Sequence, residues 1–108
     1  MVRRIEEVES IARNVVSMVN ERYRVRAAYL FGSYVGGTPT DESDIDIAVF
    51  AEGIESEKID SRMDFISLIQ KKIAAEVELH LYPAERLNDL RPTNFAGYIS
   101  SHGKKIAA

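Results

Sequence analysis

The stretch Asp44-Ile45-Asp46-Ile47-Ala48-Val49-Phe50 alternates acid and aliphatic residues at its start. Strict alternation is the signature of a β-strand with one buried face. Such a strand sends Asp44 and Asp46 to one side of a sheet and Ile45, Ile47 and Val49 to the other, because successive side chains point to opposite faces. The fold must therefore bury the aliphatic side and keep two carboxylates, about 6.6 Å apart along the backbone, on the other.

The flanking sequence supplies the rest of a small α+β domain. Ile5, Val8, Ile11, Ala12, Val15, Val16 and Val19 recur at helical spacing and predict a helix over Ile5 to Glu21. Val25 to Phe31 is rich in β-branched and aromatic residues and reads as a strand. Gly32 to Ser43, with three glycines and Pro39, reads as a loop with room for one helical turn. That loop is too short for a crossover helix, so the first two strands should pair antiparallel. Past Gly53, the residues Ile59, Met63, Ile66, Ile69 and Ile73 mark a second helix. Val77, Leu79 and Leu81 alternate with Glu76, Glu78 and His80 in a third strand that Pro83 ends. Thr93 or Asn94 should cap a short helix stopped by Gly103, and Lys104-Lys105-Ile106 forms a last short strand. The expected architecture is a small mixed sheet with helices packed on one face. At 108 residues the chain is read as a single domain, 1–108.

Charge narrows the function. The net charge of −3 argues against a domain built to grip long nucleic acid. From Asp41 to Asp60 there are eight acids and one base, Lys58. No cysteine is present, which excludes disulfides and thiolate metal sites. No apolar run reaches membrane-spanning length and the N-terminus lacks an apolar signal core, so a cytoplasmic location with no membrane contact is expected.

The acids carry the chemistry. Two carboxylates held close together repel unless a cation lies between them. Mg²⁺ takes oxygen ligands and commonly joins one or two carboxylates to substrate phosphates. A third acid on a neighbouring strand would let two ions clamp an in-line displacement at phosphorus. Glu78 is the natural candidate, although Glu76 and His80 share its face. Upstream, Gly32-Ser33 ends a strand at a turn whose amides and hydroxyl can receive an anion, and Gly36 and Gly37 allow close backbone approach. A phosphate cradle beside a paired-acid site points to phosphoryl or nucleotidyl transfer from a nucleoside triphosphate. Taken singly, each piece has an ordinary reading. Asp-x-Asp is a common strand edge, Gly-Ser a common turn, His80 a half-buried structural histidine, His102 a surface residue, and Tyr34, Tyr98 and the methionines packing.

Gly32-Ser33, ten residues, then Asp44-Ile45-Asp46 resembles the signature of the DNA polymerase β-type nucleotidyltransferase superfamily, in the form found in minimal nucleotidyltransferases. Ser43 to Val49 is similar to that family's second strand, Gly37 falls on a glycine usual there, and the resemblance covers nearly the whole chain. It implies a polymerase β-like fold and a three-carboxylate site for two Mg²⁺ ions made by Asp44, Asp46 and Glu78. It further implies ATP as substrate, with Gly32, Ser33 and Gly37 at the triphosphate, and a HEPN-domain helical protein as partner. In some such pairs the partner is an RNase toxin, and the antitoxin adds AMP to one of its tyrosines. Two departures stand out. The third acid is Glu78 where the family most often has Asp, and Gly36 stands where many members carry a base. Some triphosphate charge must then be met by metals, by backbone, or by a base elsewhere, such as Arg62 or Lys58. The alternative is a non-catalytic nucleotide-binding antitoxin that neutralises its partner by contact. An antibiotic-modifying transferase would need an acceptor domain, and an RNA-tailing enzyme would need a basic track.

Overall fold

The computed structural model describes residues 2–107. Helix α1 (Ile5–Arg22) leads into strand β1 (Arg24–Phe31). A single helical turn, α2 (Ser33–Gly36), opens the loop to strand β2 (Ile45–Glu52). Helix α3 (Ile59–Lys72), strand β3 (Val77–Pro83), helix α4 (Phe95–His102) and strand β4 (Lys104–Ala107) complete the order. Two short 3-10 turns, Ile54–Ser56 and Ala84–Asn88, join these elements. No helix among the described residues is long and apolar enough to cross a membrane.

The helices follow from their sequences. In α1, Val8, Ala12, Val15 and Val19 form one buried stripe at three- and four-residue spacing. Glu6 and Glu7 in its first turn and Arg22 in its last complement the helix dipole. Asn94 caps α4, its side chain accepting from the Gly97 amide at 2.8 Å.

The four strands lie in the order β3-β2-β1-β4. β1 and β2 pair antiparallel, as their short connection requires. β2 and β3 pair parallel, with α3 as the crossover. β4 closes the other edge, antiparallel to β1.

Both faces of the sheet are covered. One buries Leu30, Ile45, Ile47, Val49, Val77 and Leu79 against α1 and α3, which share that face as expected. On the other, Ala27, Tyr29, Ala48 and Phe50 bury against Ala96 and Ile99 of α4. This second layer departs from helices on one face only. Its cause is in β2 itself: the side that begins with Asp46 continues with Ala48 and Phe50. The strand is polar at one end of that face and apolar at the other, and α4 covers the apolar end and reaches Phe31 and His80 through Phe95.

Candidate active site

The uncovered end of the second face carries the acids. Asp46 is the second residue of β2 and pairs in register with Glu78 of the parallel strand β3. His80 is two residues along β3 on the same side, opposite Ala48. One donor atom from each of Asp46, Glu78 and His80 lies within 4.8 Å of the others. Asp46 and His80 are half-buried and Glu78 is exposed, so the group opens to solvent.

The electrostatics are those of a site short of positive charge. Burial, a hydrogen bond with Glu78, and the charges of Glu78 and Asp44 together push the Asp46 carboxyl up from 3.8 to about 7. A divalent cation between these groups would relieve all the electrostatic causes, so the donors present fit such an ion. Asp44 sits one residue before β2 and is exposed. It lies outside the compact group, but its charge reaches Asp46.

Glu76 occupies the turn before β3 rather than the strand. Arg3 holds it, donating from Nε and Nη2 to its two carboxylate oxygens at 3.3 Å each, and this keeps the Glu76 carboxyl below its usual range. Its carbonyl accepts from the Ile45 amide at 2.9 Å, anchoring the start of β2.

The glycine-serine turn is built against Asp46. Gly32 has φ 84° and ψ −158°, a region open essentially to glycine alone. A Cβ at that position would overlap Asp46 Oδ2. Its carbonyl receives the amides of Val35 and Gly36 at 3.1 and 2.9 Å, starting the α2 turn. Gly37, at φ 83°, ends that turn in the left-handed region. The Ser33 hydroxyl donates to Ser43 Oγ at 2.9 Å, and Ser43 Oγ also receives the Thr40 amide at 2.8 Å. This link joins the two ends of the ten-residue spacer and sets Ser33 near the residue that precedes Asp44.

One suggestion from the sequence changes. Arg62 acts on Glu57, which pairs with Arg22 at the end of α1. Arg62 and Lys58 thus belong to the end of the sheet where β2 finishes, whereas Asp46 lies where β2 begins, so neither is placed to meet a triphosphate. His80, read from sequence as a half-buried structural histidine, is half-buried and also lies beside the acidic group. The alternation of β3 had put it on the face of Glu78, but strand period alone does not tell a ligand from a packing residue.

The likeness to known proteins agrees with this geometry. A Methanocaldococcus jannaschii protein that bears the name of a protein adenylyltransferase is 30% identical over 78 residues, 72% of this chain and 78% of that one. The protein adenylyltransferase MntA of Thermococcus cleftensis is 41% identical over 64 residues, covering 59% of this chain and 60% of MntA. The crystal structure of a toxin-antitoxin with AMP-PNP superposes with a TM-score of 0.61 at 23% identity, over 88% of this chain and 71% of that one, a likeness of fold. The Polymerase beta, Nucleotidyltransferase family matches residues 13–107. That match runs from α1 to β4 and takes in Gly32, Ser33, Asp44, Asp46 and Glu78, and the chain belongs to the polymerase β nucleotidyltransferase family.

Proposed function

We propose that this protein transfers AMP from ATP to a tyrosine hydroxyl of a HEPN-type RNase toxin, and so acts as its antitoxin. The observation that carries the reading is the in-register pair Asp46 and Glu78, with Gly32 packed against Asp46, in a member of this family. Similarity to proteins named adenylyltransferases supports AMP as the transferred group.

In the reaction the acceptor oxygen bonds to the α-phosphorus, the bond from that phosphorus to the bridging β-phosphate oxygen breaks, pyrophosphate leaves with that oxygen, and the hydroxyl proton passes to solvent water. Asp44, Asp46 and Glu78 would hold two Mg²⁺ ions, which when bound neutralise the charge that spreads over the phosphate oxygens. Gly32 keeps the backbone close to Asp46, and the α2 turn with Ser33 and Gly37 offers amides and a hydroxyl to the triphosphate. The site opens to solvent at Glu78, so a second protein can present the acceptor there. Positioning of that hydroxyl supplies a large part of the rate.

Incubating the protein with its helical partner, ATP and Mg²⁺ tests this. The partner's mass should rise by whole AMP units, and the Asp44→Asn/Asp46→Asn double variant should still bind the partner but add nothing. A partner fully neutralised yet unmodified would establish inhibition by contact instead.

A further inference from the structure

His80 is not needed by the three-carboxylate scheme, yet it lies within donor range of two of its members. Its Nε2 is 3.5 Å from Glu78 Oε1. The ring is held from several sides: tilted against Phe31 at 5.4 Å, parallel to Tyr82 at 6.4 Å, and beside Phe95 at 6.3 Å. Its cross-strand neighbour on β2 is Ala48, whose side chain is a single methyl group. The result is an imidazole in a fixed orientation, with a nitrogen directed at the carboxylates.

Metal–ligand bonds of about 2.1 Å place the donors of one octahedral ion roughly 3.0–4.2 Å apart. The donors of Asp46, Glu78 and His80 all lie within 4.8 Å of one another, and His80 Nε2 and Glu78 Oε1, at 3.5 Å, already fall in that range. The donor set is then one nitrogen and two oxygens. Mg²⁺ prefers oxygen and sheds its water reluctantly, whereas a nitrogen ligand favours first-row transition ions, and among these Mn²⁺ is the one that also suits carboxylate oxygens.

We infer that His80 is a nitrogen ligand of the cation held by Asp46 and Glu78, and that this position prefers Mn²⁺ to Mg²⁺. The inference rests on the cation site of the proposed function and specifies its chemistry. His80 would act as a selector among divalent ions, a role the three carboxylates cannot perform.

The test uses metal alone, without nucleotide. Mn²⁺ is titrated into the metal-free protein, free Mn²⁺ is followed by electron paramagnetic resonance, and pulsed measurements read coupling to a directly bound histidine nitrogen. Wild type should show that coupling and should bind Mn²⁺ at least about tenfold more tightly than Mg²⁺ by competition. His80→Phe keeps an aromatic ring in the Phe31, Tyr82 and Phe95 cluster while removing the nitrogen. It should lose the coupling and at least about tenfold in Mn²⁺ affinity, with Mg²⁺ affinity little changed. His80→Gln serves the same end if the phenyl ring disturbs folding. Mn²⁺ binding that Asp46→Asn abolishes, but that lacks nitrogen coupling or survives His80→Phe unchanged, overturns the inference and leaves the carboxylate site standing. No Mn²⁺ binding at all overturns the inference, and the proposed function then stands or falls on the AMP-transfer assay.

Discussion

Gly32 and Asp46 are fitted to each other: the missing side chain of the glycine is the space that the carboxylate fills. This single contact explains why a glycine ends β1 opposite the start of β2, since Phe31 already pairs in register with Asp46. Two constraints meet at Gly32. The backbone there is in a conformation costing other residues about 1–3 kcal/mol, and any Cβ would drive Asp46 away from Glu78. Gly32→Ala should lower Tm by several degrees, at roughly 4–8 °C per kcal/mol for a domain of this size, and should abolish transfer. Calorimetry with a parallel activity assay checks both. An alanine variant as stable and active as wild type would show that the contact is incidental.

The raised carboxyl of Asp46 makes a prediction about pH. In the native, metal-free protein this group holds its proton up to about 7, whereas unfolded it releases it near 3.8. Between those values the native state binds the extra proton, so the contribution of Asp46 to stability falls as pH rises and is lost above about 7. Glu9, Glu52, Glu57, Glu76 and Asp89, held below their usual range by arginine or lysine partners, act in the opposite direction. The difference between wild type and Asp46→Asn isolates the one group. With EDTA present, Asp46→Asn should have the higher Tm at pH 8, by a few degrees, and the gap should shrink toward pH 5. A divalent cation at pH 8 should raise wild type and leave the variant unmoved.

Glu76 and Glu78 separate by their surroundings. Glu76 belongs to Arg3, in a half-exposed pair worth about 0–1 kcal/mol. Glu76→Gln should therefore cost little stability and leave transfer near wild type. Glu78→Gln should remove transfer while the protein stays folded, because Glu78 is exposed and its neighbour Asp46 gains from losing a like charge. Steady-state rates of the two variants against Mg²⁺ concentration distinguish them, and a reversed order would move the third ligand to the turn before β3.

These acids show what the sequence could and could not reveal. Alternation in Asp44 to Val49 was enough to assign the faces of β2, and the Gly-Ser to Asp-x-Asp spacing was enough to point to the candidate site. The limits of β3 were less legible. Val77 to Leu81 continues a polar–apolar rhythm back through Glu76, and only the turn formed by Ala75 and Glu76 ends it. The second core layer was hidden for a different reason. Ala27, Tyr29, Ala48 and Phe50 come from two strands, and their common burial under Ile99 depends on the antiparallel register of β1 and β2. Periodicity within one segment does not carry that information. The same limit applies to His80, whose meaning depends on what stands beside it on β2.

The second layer is itself testable. Ile99 is fully buried in α4 and closes the apolar end of the face whose other end carries Asp46. Ile99→Ala should destabilise the protein by about 2–5 kcal/mol, measured by urea unfolding. Phe95, on the same helix, packs against Phe31 and His80, so α4 also supports the ring of His80. A loss below about 1 kcal/mol would mean that α4 is only loosely docked.

The last prediction adds a group rather than removing one. Gly36 stands where many members of the family have a base, and neither Arg62 nor Lys58 is placed to replace it. The position lies in the α2 turn, and a Cβ there meets nothing within 4 Å. Its backbone is helical, so a side chain brings no strain, and replacing a glycine in a helical turn stabilises by about 0.5–1 kcal/mol. Gly36→Lys would put an ammonium beside the turn that, on the proposed function, receives the triphosphate. Its charge would act on substrate and transition state alike, which lowers KM for ATP without raising kcat. We expect KM to fall about three- to tenfold at low salt, corresponding to roughly 0.6–1.4 kcal/mol, and the gain to shrink as ionic strength rises. Gly36→Ala controls for the helical effect and should leave KM unchanged. If Gly36→Lys and Gly36→Ala give the same KM for ATP at every salt concentration, the triphosphate does not lie along α2, and the anion-binding role of Gly32, Ser33 and Gly37 must be given up.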